Sequence, residues 1–178
     1  MLKTLRTIAA CGRVSETPPD ADETLRVSET LHMELWSVLG RALCIRSVDA
    51  GSCNACELEI QALNNPVYNI EGLGIRFVAS PRHADLLLVT GPVSRHMENA
   101  LLRTYAAMPD PKLVVAVGDC GCTGGIFGES YASRGRVANV LPVVVAVPGC
   151  PPTPTRLLQG ILTAITAPRP VLERFPMP

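Results

Sequence analysis

Four cysteines, Cys53, Cys56, Cys120 and Cys150, fall in the three most glycine- and proline-marked turns of the chain. The turns read Gly51-Ser52-Cys53-Asn54-Ala55-Cys56, then Gly118-Asp119-Cys120-Gly121-Cys122-Thr123-Gly124-Gly125, then Pro148-Gly149-Cys150-Pro151-Pro152, a C-x2-C-x63-C-x29-C pattern. Four thiolates suit either a structural Zn2+ or a [4Fe-4S] cluster. Structural zinc usually uses two closely spaced knuckles, whereas this chain offers one pair and two singletons, which favours the cluster. A cubane also needs close backbone approach to its sulfides, and the glycine-rich stretch 121–128 allows it. A thioredoxin-like role for Cys53 and Cys56 is a further alternative, but it leaves Cys120 and Cys150 without a task.

Remote cysteines can meet only if the fold brings their turns together. Residues 113–117 and 143–147 are nearly continuous Val, Leu and Ala, the pattern of parallel strands covered on both faces. Further strands are expected at 43–48, 75–79 and 86–89. Helical character follows the C-x2-C turn over 57–64, which Asn64-Asn65-Pro66 ends. Ser94 is placed to cap a helix over 95–107, with Met97, Leu101, Leu102 and Tyr105 on one face. Thr153-Pro154 reads as N-cap and first residue of a final helix reaching about residue 166. Alternating strands and helices predict an open α/β sheet, whose sites collect outside the carboxyl ends of the strands. Cys120, Cys150 and Cys53 fall there. Residues 1–42 read as an N-terminal arm, extended and polar over 11–30, with a short helix leading into the first strand; 43–167 form the α/β domain, and 168–178 a proline-rich tail.

Composition narrows the function. Sixteen basic and sixteen acidic residues balance, and 4% aromatic content gives little for base stacking, so nucleic acid is not an expected partner. Seven cysteines, an odd number with close C-x2-C and C-x-C spacings, fit metal ligation or free thiols in a reducing cytosol better than a disulfide framework. The apolar stretch behind Lys3 and Arg6 is too short for a secretory segment, and Ile8-Ala9-Ala10-Cys11 only faintly mimics a lipoprotein cleavage site. No run approaches the roughly 18 apolar residues of a membrane span, so membrane association is expected through partners.

The motif Asp49-Ala50-Gly51-Ser52-Cys53-Asn54-Ala55-Cys56-Glu57-Leu58-Glu59-Ile60, with Gly118-Asp119-Cys120, Thr123-Gly124-Gly125-Ile126-Phe127-Gly128 and Pro148-Gly149-Cys150-Pro151-Pro152, resembles the small electron-transfer subunit of group 4 membrane-bound [NiFe]-hydrogenases. That family includes the hydrogenase-4 and formate hydrogenlyase small subunits and is homologous to the 20 kDa (B) subunit of complex I. The resemblance covers about residues 40–166, and residues 12–19 are also similar. It implies a flavodoxin-like fold and one [4Fe-4S] cluster held by Cys53, Cys56, Cys120 and Cys150. It also implies a hydrogenase-like large subunit, a ferredoxin-like iron–sulfur subunit and integral membrane subunits as partners, and a cytoplasmic, peripherally membrane-associated location. The isolated chain is expected to catalyse nothing; in the complex it serves hydrogen evolution or oxidation. Complex I relatives typically have adjacent cysteines in the first motif, so the two-residue spacer here favours the hydrogenase branch over a quinone-reducing one. A zinc-stabilised interaction protein is the alternative of another class.

Cys122 lies outside the implied ligand set and reads as a bystander thiol, Cys44 as a small core residue, Cys11 as a free thiol. Glu57 and Glu59 suit the first turn of a helix by charge; Glu57, beside Cys56, is also a candidate proton relay. Asp49 and Asp119 flank the ligands, as turn formers or as supports for backbone donors. His32, His83 and His96 are scattered without metal-binding spacing. The glycine run 121–128 lacks the Gly-Lys-Ser/Thr ending of a phosphate loop.

Overall fold

The computed structural model describes residues 6, 26, 27, 29–34, 37 and 40–167. The similar stretch 12–19, most of the expected arm, Cys11 and the proline-rich tail 168–178 lie outside the described residues.

Five strands form one parallel sheet: β1 (Leu43–Asp49), β2 (Ile75–Phe77), β3 (Leu86–Thr90), β4 (Leu113–Val117) and β5 (Val145–Val147). Their order is β2-β1-β3-β4-β5, the flavodoxin-like arrangement, with the order reversing between β1 and β3. Alternation along the strands explains why both faces need helices. Leu43, Ile45, Leu86, Leu88, Val115 and Val117 join one core cluster, while Val48, Leu87, Val89, Val114 and Ala116 join another on the opposite face.

Helix α1 (Ala55–Ala62) contributes Cys56 and Ile60 to the first cluster. Helix α2 (Arg95–Ala107) covers the second through Leu101, with Met97, Leu102 and Tyr105 packed against it, the face expected from its sequence. Ser94 caps it by accepting from the Met97 N–H at 3.3 Å. Helix α4 (Pro154–Thr166) returns to the first cluster with Leu157, Leu158, Ile161, Ala164 and Ile165, and Thr153 caps it by accepting from the Arg156 N–H.

Four expectations are corrected. Cys120 and Cys122 lie not in an open turn but in a six-residue helix, α3 (Gly118–Thr123), closed by Gly124 at φ 92, whose N–H donates to Cys120 O at 2.9 Å. The outer strands are shorter than expected, because β2 pairs with β1 only from Leu43↔Ile75 to Ile45↔Phe77 and β5 with β4 only from Val115↔Val145 to Val117↔Val147. The helix after the cysteine pair starts two residues earlier than expected and ends at Ala62, taking Cys56 into its first turn. At the end of the expected arm, Arg26, Val27, Glu29 and Thr30 are helical and run into a helical stretch at 31–34, where Leu31 is fully buried in the first cluster.

Candidate metal centre

The segments that follow the carboxyl ends of β1, β4 and β5 carry the four cysteines: Cys53 in the turn before α1, Cys56 in the first turn of α1, Cys120 in α3 and Cys150 in the turn before α4. Asp49, the last residue of β1, turns the first loop: its Oδ1 accepts from the N–H groups of Gly51 at 2.8 Å and Ser52 at 2.7 Å. Burial alone would raise the Asp49 carboxyl, but the amides of Ser52 and Gly51 together outweigh it and hold the group below its ordinary value. Asn54 then adopts φ 72, which aims Cys53 to the exposed rim and starts α1 one residue before the buried Cys56.

The thiols of Cys53, Cys56, Cys120 and Cys150 lie close enough for their charges to interact. Burial, then the neighbouring charges of Glu57, Cys53, Cys120 and Cys150, push the Cys56 thiol up to about 12. Cys120 is raised by burial and by Cys150, Cys53 and Asp119, against an opposing backbone hydrogen bond. Cys56 and Cys120, both raised by the cysteines around them, belong to a donor set that a cation would relieve, and metal binding there must release their protons. Among the described residues no three His, Cys, Asp or Glu side chains close on a single metal-ion position. Space around the sulfurs is kept by glycine. A Cβ on Gly118 would stand 2.6 Å from Cys56 Sγ, and one on Gly125 2.8 Å from Cys120 Sγ. The donor chemistry and this glycine cradle fit a polynuclear sulfide cluster, whose thiolates bind separate irons and need not meet at one point.

Cys122 is turned away. Its Sγ lies 3.7 Å from Ala116 O, burial and then Asp119 push its thiol up to about 11, and none of the four cysteines contributes to that shift. Cys122→Ser is therefore expected to leave iron and sulfide content unchanged, a result that iron and acid-labile sulfide analysis of the purified complex checks. Cys44 is buried in β1, where its Sγ accepts from Arg76 Nε at 3.4 Å, in accord with a core role.

Glu57 occupies the first turn of α1, where its charge complements the helix dipole. Its Oε1 accepts from Ser52 Oγ at 2.7 Å, while Oε2 is buried without a hydrogen-bond partner. Arg46 Nε is likewise buried and unpaired, and both residues line a cavity of about 300 Å3 with Ile60, Gln61 and Phe77. Sequence reasoning missed Ser52 and Arg46. The two-residue step from Ser52 to the Asn54 N–H, which donates to Ser52 Oγ at 3.2 Å, is a local signal for the first; nothing local marks the second.

After Gly125, in the segment that follows α3, Ile126 and Tyr131 are more than nine-tenths exposed and Phe127 is 58% exposed. Among the described residues no helix is long and apolar enough to cross a membrane.

Comparison with known proteins identifies the family. The family model for the NADH ubiquinone oxidoreductase 20 Kd subunit matches residues 53–164. Formate hydrogenlyase subunit 7 of Escherichia coli is 41% identical over 148 residues, covering 83% of this chain, and the chain spans only 57% of that relative. The "Probable membrane-bound hydrogenase subunit mbhJ" of Pyrococcus furiosus is 42% identical over 132 residues, 74% of this chain and 79% of the relative. Among solved structures, a chain of the archaeal respiratory membrane complex described as membrane-bound sulfane sulfur reductase superposes with a TM-score of 0.63 at 32% identity, covering 75% of this chain and 73% of that one. The chain thus belongs to the NADH ubiquinone oxidoreductase 20 Kd subunit family, among subunits of oxidoreductase complexes that include membrane-bound hydrogenases.

Proposed function

We propose that this chain is the electron-transfer subunit of a membrane-associated hydrogenase complex, carrying one [4Fe-4S] cluster on Cys53, Cys56, Cys120 and Cys150. It relays electrons between a ferredoxin-like subunit and a [NiFe] large subunit during hydrogen evolution or oxidation. The observation that carries this reading is the placement of four cysteines after the carboxyl ends of three strands, with Cys56 and Cys120 raised by their cysteine neighbours and with glycines 118 and 125 against their sulfurs.

When bound, such a cluster supplies one-electron transfer. The chain's own residues hold and shape the site. Asp49 fixes the Cys53 loop through the Gly51 and Ser52 amides, and Ser52 orients Glu57 beside Cys56. Glu57 is proposed as a proton relay at the large-subunit interface, with Oε1 held and Oε2 left without a partner. Cys53 and Cys150 are exposed, and exposed Ile126 and Phe127 follow Gly125, which approaches Cys120, so a large subunit docked on this face would exclude water from the centre. Integral membrane subunits bound through such partners would hold the chain at the cytoplasmic side.

A complex I-like quinone oxidoreductase is the second reading, favoured by the description of the matching family itself. Anaerobic purification of the complex with metal analysis and electron paramagnetic resonance separates the readings. Iron with acid-labile sulfide in this chain and nickel in the large subunit are expected. A large subunit without nickel, reducing quinone, selects the second reading; one zinc with no iron or sulfide in this chain sinks both.

A further inference from the structure

The dipeptide Gly118-Asp119 touches all three cysteine loops. Besides its approach to Cys56, a Cβ on Gly118 would stand 3.5 Å from Gly149 O. Asp119 immediately precedes Cys120 and grips Gly149, the residue before Cys150, at two points. Its N–H donates to Gly149 O at 2.8 Å, and its Oδ1 accepts from the Gly149 N–H at 2.8 Å. The gripped residue has little freedom to shift: Gly149 has φ 141, and a Cβ there would meet Pro152 Cα at 2.6 Å. On its other side, Asp119 O accepts from Thr123 Oγ at 2.8 Å, which ties the clamp into α3.

Asp119 is half-buried, adjoins Cys120 in the chain and holds its carboxylate on the N–H that precedes Cys150, which places its charge between two of the proposed ligands. Reducing a cluster adds negative charge, which a fixed carboxylate in partly desolvated surroundings opposes. Resting on the ligand reading above, we propose that Asp119 is a positioning residue of the centre: it fixes the separation of Cys120 and Cys150 through Gly149 and holds the cluster's reduction potential down through its charge.

The two roles part in two variants. Asp119→Asn keeps an acceptor for the Gly149 N–H and removes the charge, whereas Asp119→Ala removes both. Redox titration of the anaerobically purified complex, followed by electron paramagnetic resonance, is expected to show full iron and sulfide in Asp119→Asn with a positive midpoint shift. A shift approaching a tenfold change in the reduction equilibrium is about 59 mV for a one-electron couple. Asp110→Asn, at a carboxylate whose side chain is 76% exposed, is the control and shows no shift. Asp119→Ala adds a severalfold faster release of iron to a chelator. The proposal is overturned if the Asp119→Asn midpoint matches that of Asp110→Asn, or if Asp119→Ala releases iron no faster than the unaltered complex. Should the alanine variant fail to assemble, the asparagine variant's potential decides. An unaltered complex without a cluster refutes the ligand reading itself, an outcome visible before any variant is compared.

Discussion

Cys56→Ala is expected to strip the cluster from the complex, with iron and acid-labile sulfide of this subunit falling to near zero and its resonance signal lost. Cys56 is the innermost of the four proposed ligands, only 9% exposed and packed in the core beside Ile60. A substitute ligand from solvent has no easy path to that position, unlike the rim position of Cys53. The fold should survive. Removing one buried sulfur resembles a small core truncation, about 1 kcal/mol, well below the roughly 5–15 kcal/mol of a typical domain. A related effect has a defined sign in the unaltered complex. Because the folded environment pushes the Cys56 thiol up to about 12, iron binding competes with a tightly held proton. Lowering the pH therefore speeds iron release to a chelator, and a release rate that does not rise as pH falls would contradict the assignment.

Gly118→Ala is expected to empty the site while Gly121→Ala, three residues along the same short helix, leaves it loaded. Position 118 has φ 81, where an added Cβ costs about 1–2 kcal/mol of backbone strain. That Cβ also stands 2.6 Å from Cys56 Sγ. A free thiol relieves the contact by rotating, but a sulfur committed to a metal cannot, so the substitution acts mainly on loading. At Gly121 the nearest atoms, Val89 O, Gly91 O and Val137 Cγ2, are 3.5–3.7 Å from an added Cβ, an ordinary contact. There alanine should gain about 0.4–1 kcal/mol from a less flexible unfolded chain. Thermal unfolding and iron analysis of the two variants together test the contrast, and equal iron content in both would refute it.

The parts of this molecule that depend on local chemistry were legible in the sequence. The β4 run Leu113–Val117 is apolar on both faces and bounded by Lys112 and Gly118, so its limits were readable. Ser94 and Thr153 cap their helices as their residue types suggest, since each bond spans three residues. Helix α3 was hidden, because Gly118 and Gly121 are poor helix formers and its short length rests on docking against the strand ends. The outer strands were overestimated because each is paired on one side alone and follows its neighbour for only three residues, although β1 and β4 themselves extend further. In the centre, the cysteine turns were visible as motifs. The clamp from Asp119 to Gly149 spans 30 residues, and no local pattern separates it from an ordinary turn.

β3 is the middle strand of the sheet, and all five of its residues are buried. Its amides should exchange with solvent deuterium only when the whole domain unfolds, whereas the rim loops open through small local excursions. If the proposed cluster is seated there, its loss should be uncoupled from the life of the fold: the sheet would stand as a durable frame, ready to receive the group again without the polypeptide refolding.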